Sequence, residues 1–393
     1  MTQPQLAMGT PDLERAVLDR YASASEEREE CLCCPVDYDP EYLKVIPEEV
    51  LVRDYGCGNP TGHIAEGETV LDLGSGSGKA CFIASQLVGA KGRVIGVDFN
   101  DSMLALARKH QPTVANRVGY SNVAFKKAKL QDLRLDRDRL DAHLRDHPVS
   151  SESDLRQLEA FIHGLREEEP LVPAGSIDVV ISNCVLNLVR PEEKAQLFSE
   201  IHRVLKEGGR AVISDIVCDE PVPEHLQQDP ELWSGCISGA FQEEEFLAAF
   251  ENAGFWGLTL LDRQEMPWRT VEGIEFRSVT LLALKGRTGP CLDQKHAVIY
   301  RGPFHSVRDD DDHVYPRGAR VAVCGRTFET LSRPPYRDHF ALVTPREEIS
   351  PADAEPFPCD DEILIRHPRE TKGEDYRSTT ENGNGACCGP DCC

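Results

Sequence analysis

A glycine-rich turn between a strand and a helix constrains this chain more than any other feature. The buried strand Thr69–Leu73 leads directly into Gly74, Gly76 and Gly78, and a helical pattern follows at once. Only residues without a β-carbon let a backbone turn this tightly and approach a ligand closely. The next strand reaches Asp98, 20 residues after the last glycine, where a carboxylate can accept two hydrogen bonds from ribose hydroxyls. The pattern therefore predicts a nucleoside site.

Strand and helix patterns alternate around this turn. Such alternation implies right-handed crossovers and a parallel sheet covered by helices on both faces. We therefore expect an α/β fold with a doubly wound, Rossmann-like sheet, a cysteine-bearing cap and a small C-terminal domain. The predicted elements are strand Thr69–Leu73, helix Ala80–Val88, strand Arg93–Phe99, a helix from about Asp101 to Lys109, a third strand within 122–130, a strand within 176–188, a helix within 191–209 and a strand over 210–217.

Composition and the positions of proline, glycine and charged residues divide the chain into five predicted segments. A charged stretch of about residues 134–173 is longer than a direct connection between strands requires, so it is interpreted as a helical insertion. The segments are a cysteine-bearing, helical N-terminal segment (1–66), a cofactor-binding domain (67–220), a cap with the last strands of the sheet (221–286), a small C-terminal domain (287–366) and a flexible cysteine-rich tail (367–393).

The charge and cysteine counts exclude several classes of function. The chain has 43 Lys and Arg against 67 Asp and Glu, a net charge of −24, which argues against nucleic acid or an anionic membrane surface as the main partner. No apolar stretch reaches the roughly 18 residues that a membrane span needs. The 15 cysteines are an odd number in a chain without a secretory signal. We therefore expect reduced thiols in a monomeric cytoplasmic protein rather than a disulfide framework.

The G-x-G-x-G spacing fits S-adenosylmethionine better than the pyrophosphate of a dinucleotide. It resembles motif I of the class I methyltransferases, with Asp72 just before the loop and Met103 placed to pack on adenine. That family often has an acidic residue after the third strand to meet the adenine amino group. Lys129 stands there in this chain, so a backbone contact near Lys129 and Leu130 is expected instead. The candidate cofactor residues of this region are Asp72, Gly74, Ser75, Gly76, Gly78, Asp98, Phe99, Met103, Lys129 and Leu130.

Three cysteines occur in glycine- or asparagine-bearing contexts on separate segments: Cys57 in YGCG, Cys184 in SNCV and Cys236 in WSGC. Cys184 follows an apolar strand and so lies at the carboxyl end of the sheet, where ligands bind in doubly wound folds. Each cysteine, taken singly, is better explained as a buried structural residue, which is the commoner fate of a lone free cysteine. Tyr55 and Asn183, which stand close to two of these cysteines in the chain, are candidates to line the cofactor pocket.

The same cysteine contexts resemble those of the arsenite S-adenosylmethionine methyltransferases. The resemblance is carried by YGCG, VLDLGSGSGK, SNCVLNLV, RVLKEGGR, LWSGCISGA and the terminal cysteine cluster, and it extends from about residue 30 to the end. It implies that Cys57, Cys184 and Cys236 bind trivalent arsenic, and that the products are mono- and dimethylated arsenicals formed in detoxification.

The chemistry of arsenic agrees with that implied ligand set. Trivalent arsenic is a soft, pyramidal centre that prefers three thiolates, by the argument that directs soft metals to cysteine. Its lone pair then points away from the sulfurs and can face the sulfonium methyl for in-line displacement. The nucleophile carries no proton, so no general base is expected.

Methylation oxidises arsenic to the pentavalent state, so two electrons must be supplied. A thiol pair can provide them by forming a disulfide, which a glutathione- or thioredoxin-type reductant later reduces. The resemblance implies an N-terminal redox cysteine, for which Cys31, Cys33 and Cys34 compete. The hypothesis is that Cys33 or Cys34 pairs with Cys57.

The remaining cysteines and one acidic cluster receive no catalytic role. The tail cysteines Cys387, Cys388, Cys392 and Cys393 belong either to a flexible reduced tail or to a metalloid-capturing segment. Asp309–Asp312 with His313 is interpreted as a solvated loop, because it lacks the spaced ligands of a calcium loop. Cys81 and Cys218 are predicted to be packing residues, and no chemistry is assigned to Cys291, Cys324 and Cys359.

Two other functions fit the same sequence. One is a methyltransferase that acts on an organic small molecule and keeps its cysteines for structure. The other is a thiol-rich metalloid-binding protein that does not catalyse a reaction. Arsenite-dependent quenching of a fluorophore in the cofactor pocket distinguishes the arsenic methyltransferase from the first alternative, and release of S-adenosylhomocysteine distinguishes it from the second.

Overall fold

The computed structural model describes residues 12–29, 36–286, 288–359, 363–373 and 376. The chain divides into two units, Met1–Gly286 and Arg287–Cys393. The helices of the first unit are α1 (Leu13–Glu26), α2 (Pro40–Leu43), α3 (Glu48–Val52), α4 (Lys79–Val88), α5 (Asp101–Val118), α6 (Arg137–Asp146), α7 (Glu152–Glu167), α8 (Pro191–Val204), α9 (Glu224–Gln227), α10 (Pro230–Ser234) and α11 (Glu243–Asn252).

The first unit is built on one sheet of nine described strands. They are β1 (Thr69–Leu73), β2 (Arg93–Asp98), β3 (Val123–Lys127), β4 (Ile177–Asn183), β5 (Leu205–Cys218), β6 (Phe241–Gln242), β7 (Phe255–Arg263), β8 (Arg269–Val271) and β9 (Ile274–Lys285). The main order is β3-β2-β1-β4-β5-β9-β7, with β6 beside β5 and β8 beside β9. Strands β1 to β5 pair in parallel, whereas β9 runs antiparallel to β5 and β7.

The strand order reverses between β1 and β4. From β1 the chain builds outward through β2 and β3, then returns to add β4 on the other side of β1. In open sheets of this kind, ligands bind at the carboxyl ends of the two strands that flank the reversal. The topology therefore directs attention to the segments that follow Leu73 and Asn183.

Alternate residues of the central strands face two apolar cores, one on each side of the sheet. Leu71 and Ile95 pack on one side, where α8 and α11 cover the sheet, and Val70 and Val94 pack on the other side against α4 and α5. A sheet buried on both faces requires such continuous apolar strands. The predicted doubly wound α/β fold is confirmed.

Helix α5 is longer than the sequence pattern predicted. It runs from Asp101 to Val118 with Pro112 in its interior, whereas the expected end was near Lys109. Proline removes a backbone hydrogen bond and usually ends a helix. Here Pro112 is exposed and the apolar face continues beyond it to the buried Val114, so tertiary packing outweighs the local penalty. The segment predicted as an insertion contains α6 and α7.

The second unit is a small, β-rich assembly. Its elements are β10 (Leu292–Asp293), β11 (Ala297–Tyr300), β12 (Ser306–Arg308), β13 (Val314–Pro316), β14 (Arg320–Ala322), α12 (Gly325–Leu331), β15 (Phe340–Val343), β16 (Glu355–Pro356) and α13 (Pro368–Lys372). Strands β14, β11 and β15 form a three-stranded sheet, while β10 pairs with β16 and β12 with β13. Its core includes Val298, Tyr315 and Phe340.

Candidate active site

The glycine loop is fixed by the carboxylate at the end of β2. Asp98 Oδ2 accepts a hydrogen bond from the Gly76 N–H at 2.8 Å, and Oδ1 accepts one from the Asn100 N–H at 2.8 Å. Gly74 has a φ of +72°, and a β-carbon there would collide with Val185. The loop therefore needs glycine at this position for both its backbone angle and its packing.

A cavity opens at the carboxyl ends of β1, β2 and β4. Gly78 is the one predicted cofactor residue that does not line it. That glycine has a φ of +91° at the start of α4, and a β-carbon there would lie 2.7 Å from the Phe125 ring. The predicted residues that line the cavity are Tyr55, Asp72, Gly74, Ser75, Gly76, Asp98, Phe99, Met103, Lys129, Leu130 and Asn183.

The cavity fits the predicted S-adenosylmethionine. The buried hydroxyl of Ser75 has no hydrogen-bond partner among the described residues, as expected for a group that a ligand completes. Nothing lies within 4 Å of the position that a β-carbon would take at Gly76. Burial raises the pKa of Asp98, although backbone N–H groups oppose the shift. These features give a nucleoside both space and hydrogen-bonding groups.

Helix α1, in the segment predicted to be helical, forms one wall of this cavity. Glu14, Leu18 and Tyr21 line the cavity from this helix. The Asn100 side chain donates to the Leu18 carbonyl at 2.9 Å, and the Lys129 ammonium lies 2.8 Å from the Glu14 carboxylate. Lys129, which stands where the resemblance leads one to expect an acidic residue, therefore pairs with α1.

The three cysteines expected to bind arsenic converge beside the cavity. Cys57 and Cys184 form a disulfide with a Cα–Cα distance of 5.9 Å. Cys236 retains its thiol, which donates to the Cys184 carbonyl at 3.1 Å. Cys57 and Cys236 are buried, and Cys184 lines the cavity. The disulfide differs from the expected set of three thiolates, because in this state two of the three sulfurs are oxidised.

Two of these cysteines have an unusual backbone conformation. Cys184 has a φ of +58° and Cys236 a φ of +61°, a region that costs a residue with a β-carbon on the order of 1 kcal/mol. Backbone hydrogen bonds hold both: the Cys184 N–H donates to the Ser214 carbonyl and the Cys236 N–H to the Trp233 carbonyl. Strain of this kind is retained at functional sites more often than elsewhere.

Asn183 contacts the Cys57 loop as well as lining the cavity. Its Oδ1 accepts from the Cys57 N–H at 2.8 Å and the Gly58 N–H at 3.1 Å, and its Nδ2 donates to the Gly58 carbonyl at 2.7 Å. A β-carbon at Gly56 would collide with this amide. The end of β4 thus positions the Cys57 loop directly.

A buried aspartate that the sequence analysis missed supports the segment after Cys184. Asp215 accepts hydrogen bonds from the N–H groups of Leu186 at 2.9 Å and Ile216 at 2.8 Å. Burial raises the pKa of this carboxyl to about 6. An aspartate within the apolar run RAVISDIV was the available signal, because a buried carboxylate needs dedicated partners.

Cys81 does more than pack. Its thiol donates to Asp72 Oδ2 at 3.1 Å, and burial raises the pKa of Asp72 to about 7. Cys218, also predicted to pack, is buried and donates to the Phe241 carbonyl at 3.2 Å. Cys31, Cys33, Cys34 and the four tail cysteines lie outside the described residues.

The sheet, the glycine loop and the cavity define a class I S-adenosylmethionine-dependent methyltransferase. A family model of a methyltransferase domain matches residues 64–167 and 159–254. Residues 287–376 match a domain of unknown function.

Relatives of known activity identify the family. An arsenite methyltransferase of Aquipseudomonas alcaligenes is 32% identical over 327 residues, which are 79% of this chain and 84% of the relative. The arsenite methyltransferase of Mus musculus is 29% identical and spans 90% of this chain and 88% of its own. The chain belongs to the arsenite methyltransferase family, and S-adenosylmethionine is its cofactor.

A solved structure agrees in fold. The crystal structure of an arsenic(III) S-adenosylmethionine methyltransferase from Chlamydomonas reinhardtii superposes with a TM-score of 0.54 at 27% identity, over 80% of this chain and 99% of the other. Among the helices in the described part of this chain, none combines the length and apolar character that a membrane-spanning helix needs.

Proposed function

We propose that this enzyme methylates trivalent arsenic bound by the thiolates of Cys57, Cys184 and Cys236. The observation that carries the proposal is the convergence of these three residues at the wall of the cofactor cavity. The relatives named as arsenite methyltransferases and the solved arsenic(III) methyltransferase support this substrate.

The reduced cysteines bind arsenic by exchange of oxygen for sulfur. Arsenous acid and three thiols form three As–S bonds and release three water molecules. Bound S-adenosylmethionine would supply an electrophilic methyl group. The arsenic lone pair forms the As–C bond by in-line displacement as the methyl–sulfur bond breaks and S-adenosylhomocysteine leaves. No residue needs to remove a proton in that step. The burial of Cys57 and Cys236 keeps water from competing for arsenic.

The neighbouring side chains position the sulfurs. Asn183 holds the Cys57 loop, and the Ser278 hydroxyl donates to the Cys57 carbonyl at 2.6 Å. Asp215 fixes the backbone after Cys184. These residues act through the cysteines, so they are positioning residues rather than catalytic residues.

The Cys57–Cys184 disulfide supports a role for these two thiols after methylation. They can supply the two electrons that return arsenic to the trivalent state. In methylarsenic(V) held by three sulfurs, two As–S bonds break, one S–S bond forms and arsenic returns to the trivalent state. A water molecule fills the released position and loses one proton. A glutathione- or thioredoxin-type reductant then regenerates the two thiols. The earlier hypothesis, in which Cys33 or Cys34 pairs with Cys57, remains a prediction.

Repeated cycles give the proposed mono- and dimethylated products, a route of arsenic detoxification. The test combines the reduced protein, arsenite, S-adenosylmethionine and a thiol reductant, with arsenic speciation and S-adenosylhomocysteine release as readouts. We expect Cys236→Ser to abolish methylation and Cys218→Ser, a matched buried cysteine, to retain it. Equal turnover in both variants would contradict the ligand assignment. Arsenite binding without turnover in the wild type would indicate a non-catalytic binding protein.

A further inference from the structure

Three cysteines of the second unit come together although nothing in their sequence spacing suggested a site. The sulfur atoms of Cys291, Cys324 and Cys359 all lie within 4.8 Å of one another. All three retain thiols in the structure. They come from segments more than 30 residues apart, so the fold, not the local sequence, creates this cluster.

Strand pairing explains the convergence. Cys291 directly precedes β10, which pairs antiparallel with β16, and the Phe357 N–H donates to the Cys291 carbonyl at 2.8 Å. This pairing returns the chain so that Cys359 reaches Cys291. Cys324 follows β14 and caps α12. Backbone hydrogen bonds therefore place the sulfurs before any ion arrives.

The buried member of the cluster, Cys324, contacts Thr327. Cys324 Sγ accepts a hydrogen bond from the Thr327 N–H at 3.4 Å and lies 3.3 Å from the Thr327 hydroxyl oxygen. These contacts hold the Cys324 sulfur in place within the cluster.

The number of ligands decides between the ions that prefer sulfur. A structural zinc site takes four ligands, whereas the described residues of this cluster supply three. Trivalent arsenic is satisfied by three sulfurs, because its lone pair occupies the fourth direction. The cluster is also accessible: Cys324 is buried, Cys291 is half-buried and Cys359 is exposed, so a small solute can reach it from solvent.

We propose that Cys291, Cys324 and Cys359 form a second three-sulfur site, which binds trivalent arsenic separately from Cys57, Cys184 and Cys236. Arsenous acid and three thiols give three As–S bonds and three water molecules, so no oxidant or reductant is needed. The convergence of the three sulfurs does not depend on the proposed function, whereas the choice of arsenic as the bound ion rests on it.

The test maps the protection of individual cysteines on the full, reduced chain. The protein is titrated with arsenite, the remaining thiols are alkylated, and each cysteine is quantified by mass spectrometry. We expect arsenite to protect Cys291 and Cys359 together. In Cys324→Ser, the arsenite concentration for half-protection should rise by roughly 100-fold or more, since each added ligand on a chelated ion raises avidity by about two orders of magnitude. Cys218→Ser is the matched control and should leave this protection unchanged.

A second variant guards against misfolding, because Cys324 is buried. Cys359→Ser changes an exposed thiol and should weaken the protection of Cys291 to the same degree while the circular dichroism spectrum stays unchanged. Protection of Cys291 that survives in Cys359→Ser would overturn the site. Zinc bound to the cluster that arsenite fails to displace would overturn its assignment to arsenic.

The same experiment separates this site from the methyltransferase site. Cys236→Ser should lose methylation and keep the protection of Cys291 and Cys359. Protection without methylation in the wild type would leave the second site standing and refute the proposed function alone. Methylation without protection of these two cysteines would support the proposed function and refute the second site.

Discussion

Replacing Asn183 with alanine tests whether its side chain holds the thiol of Cys57, a proposed arsenic ligand, in place. The amide makes three hydrogen bonds of 2.7–3.1 Å with the backbone of Cys57 and Gly58. Truncation leaves these partly buried backbone groups without that partner, at about 1 kcal/mol each, or about 3 kcal/mol in all. If the conformation of the Cys57 loop that binds arsenite becomes less favourable by this free energy, the affinity for arsenite falls by up to about 100-fold.

The measurement compares the arsenite dissociation constant, the S-adenosylmethionine dissociation constant and the free energy of unfolding of the reduced protein. Asn122→Ala is the matched control, because that half-buried amide also makes three side-chain hydrogen bonds, with Ser85 and Gly89 outside the cavity. We expect both variants to lose stability and Asn183→Ala alone to lose arsenite affinity. Equal arsenite affinity in the two variants would refute the reasoning. A loss confined to S-adenosylmethionine would make Asn183 a cofactor ligand.

Three further predictions concern the cofactor cavity. Burial raises the pKa of Asp72 to about 7, so its contribution to stability is complete below about pH 4 and is lost as the pH rises through about 7. The free energy of unfolding in urea should therefore depend on pH less steeply in Asp72→Asn than in the wild type. The difference in slope should reach up to about 1.4 kcal/mol per pH unit in that window. Gly76→Ala should weaken S-adenosylmethionine binding in calorimetry, whereas Gly119→Ala, which also has a positive φ and open space, should lose about 1 kcal/mol of stability and bind normally. Lys129→Glu breaks the ion pair with Glu14 and should speed proteolysis within α1. A double variant that also carries Glu14→Lys restores an ion pair and should restore resistance to proteolysis.

The lining of the cavity was largely predictable from the sequence. A glycine loop between a strand and a helix, followed by Asp98, is a local pattern whose geometry follows from the absence of β-carbons. The cavity accordingly includes nearly all of the predicted residues. Gly78 was the exception, because spacing alone does not distinguish a glycine that approaches a ligand from one that makes room for Phe125.

The contacts made across long sequence separations were not predictable in this way. The pairing of Lys129 with Glu14 joins residues on two elements whose relative placement no local pattern specifies. The convergence of Cys291, Cys324 and Cys359 depends on the pairing of two-residue strands, which carry almost no signal in the sequence. Helix α5 passed through Pro112 because burial of the apolar face beyond it outweighed a local rule.

Helix α1 contacts both the cofactor cavity and the segment that carries Cys236. Leu18 lines the nucleoside cavity, the Arg20 guanidinium donates to the Glu231 carbonyl and the Ser234 hydroxyl of α10, and the Tyr21 hydroxyl lies 3.8 Å from the sulfur of Cys236. Any displacement of α1 that admits or releases the nucleoside also disturbs the segment that carries Cys236. If arsenic binds at Cys236 as proposed, a shift of α1 on binding of one ligand changes the affinity for the other, and thermodynamic linkage makes that change equal in both directions.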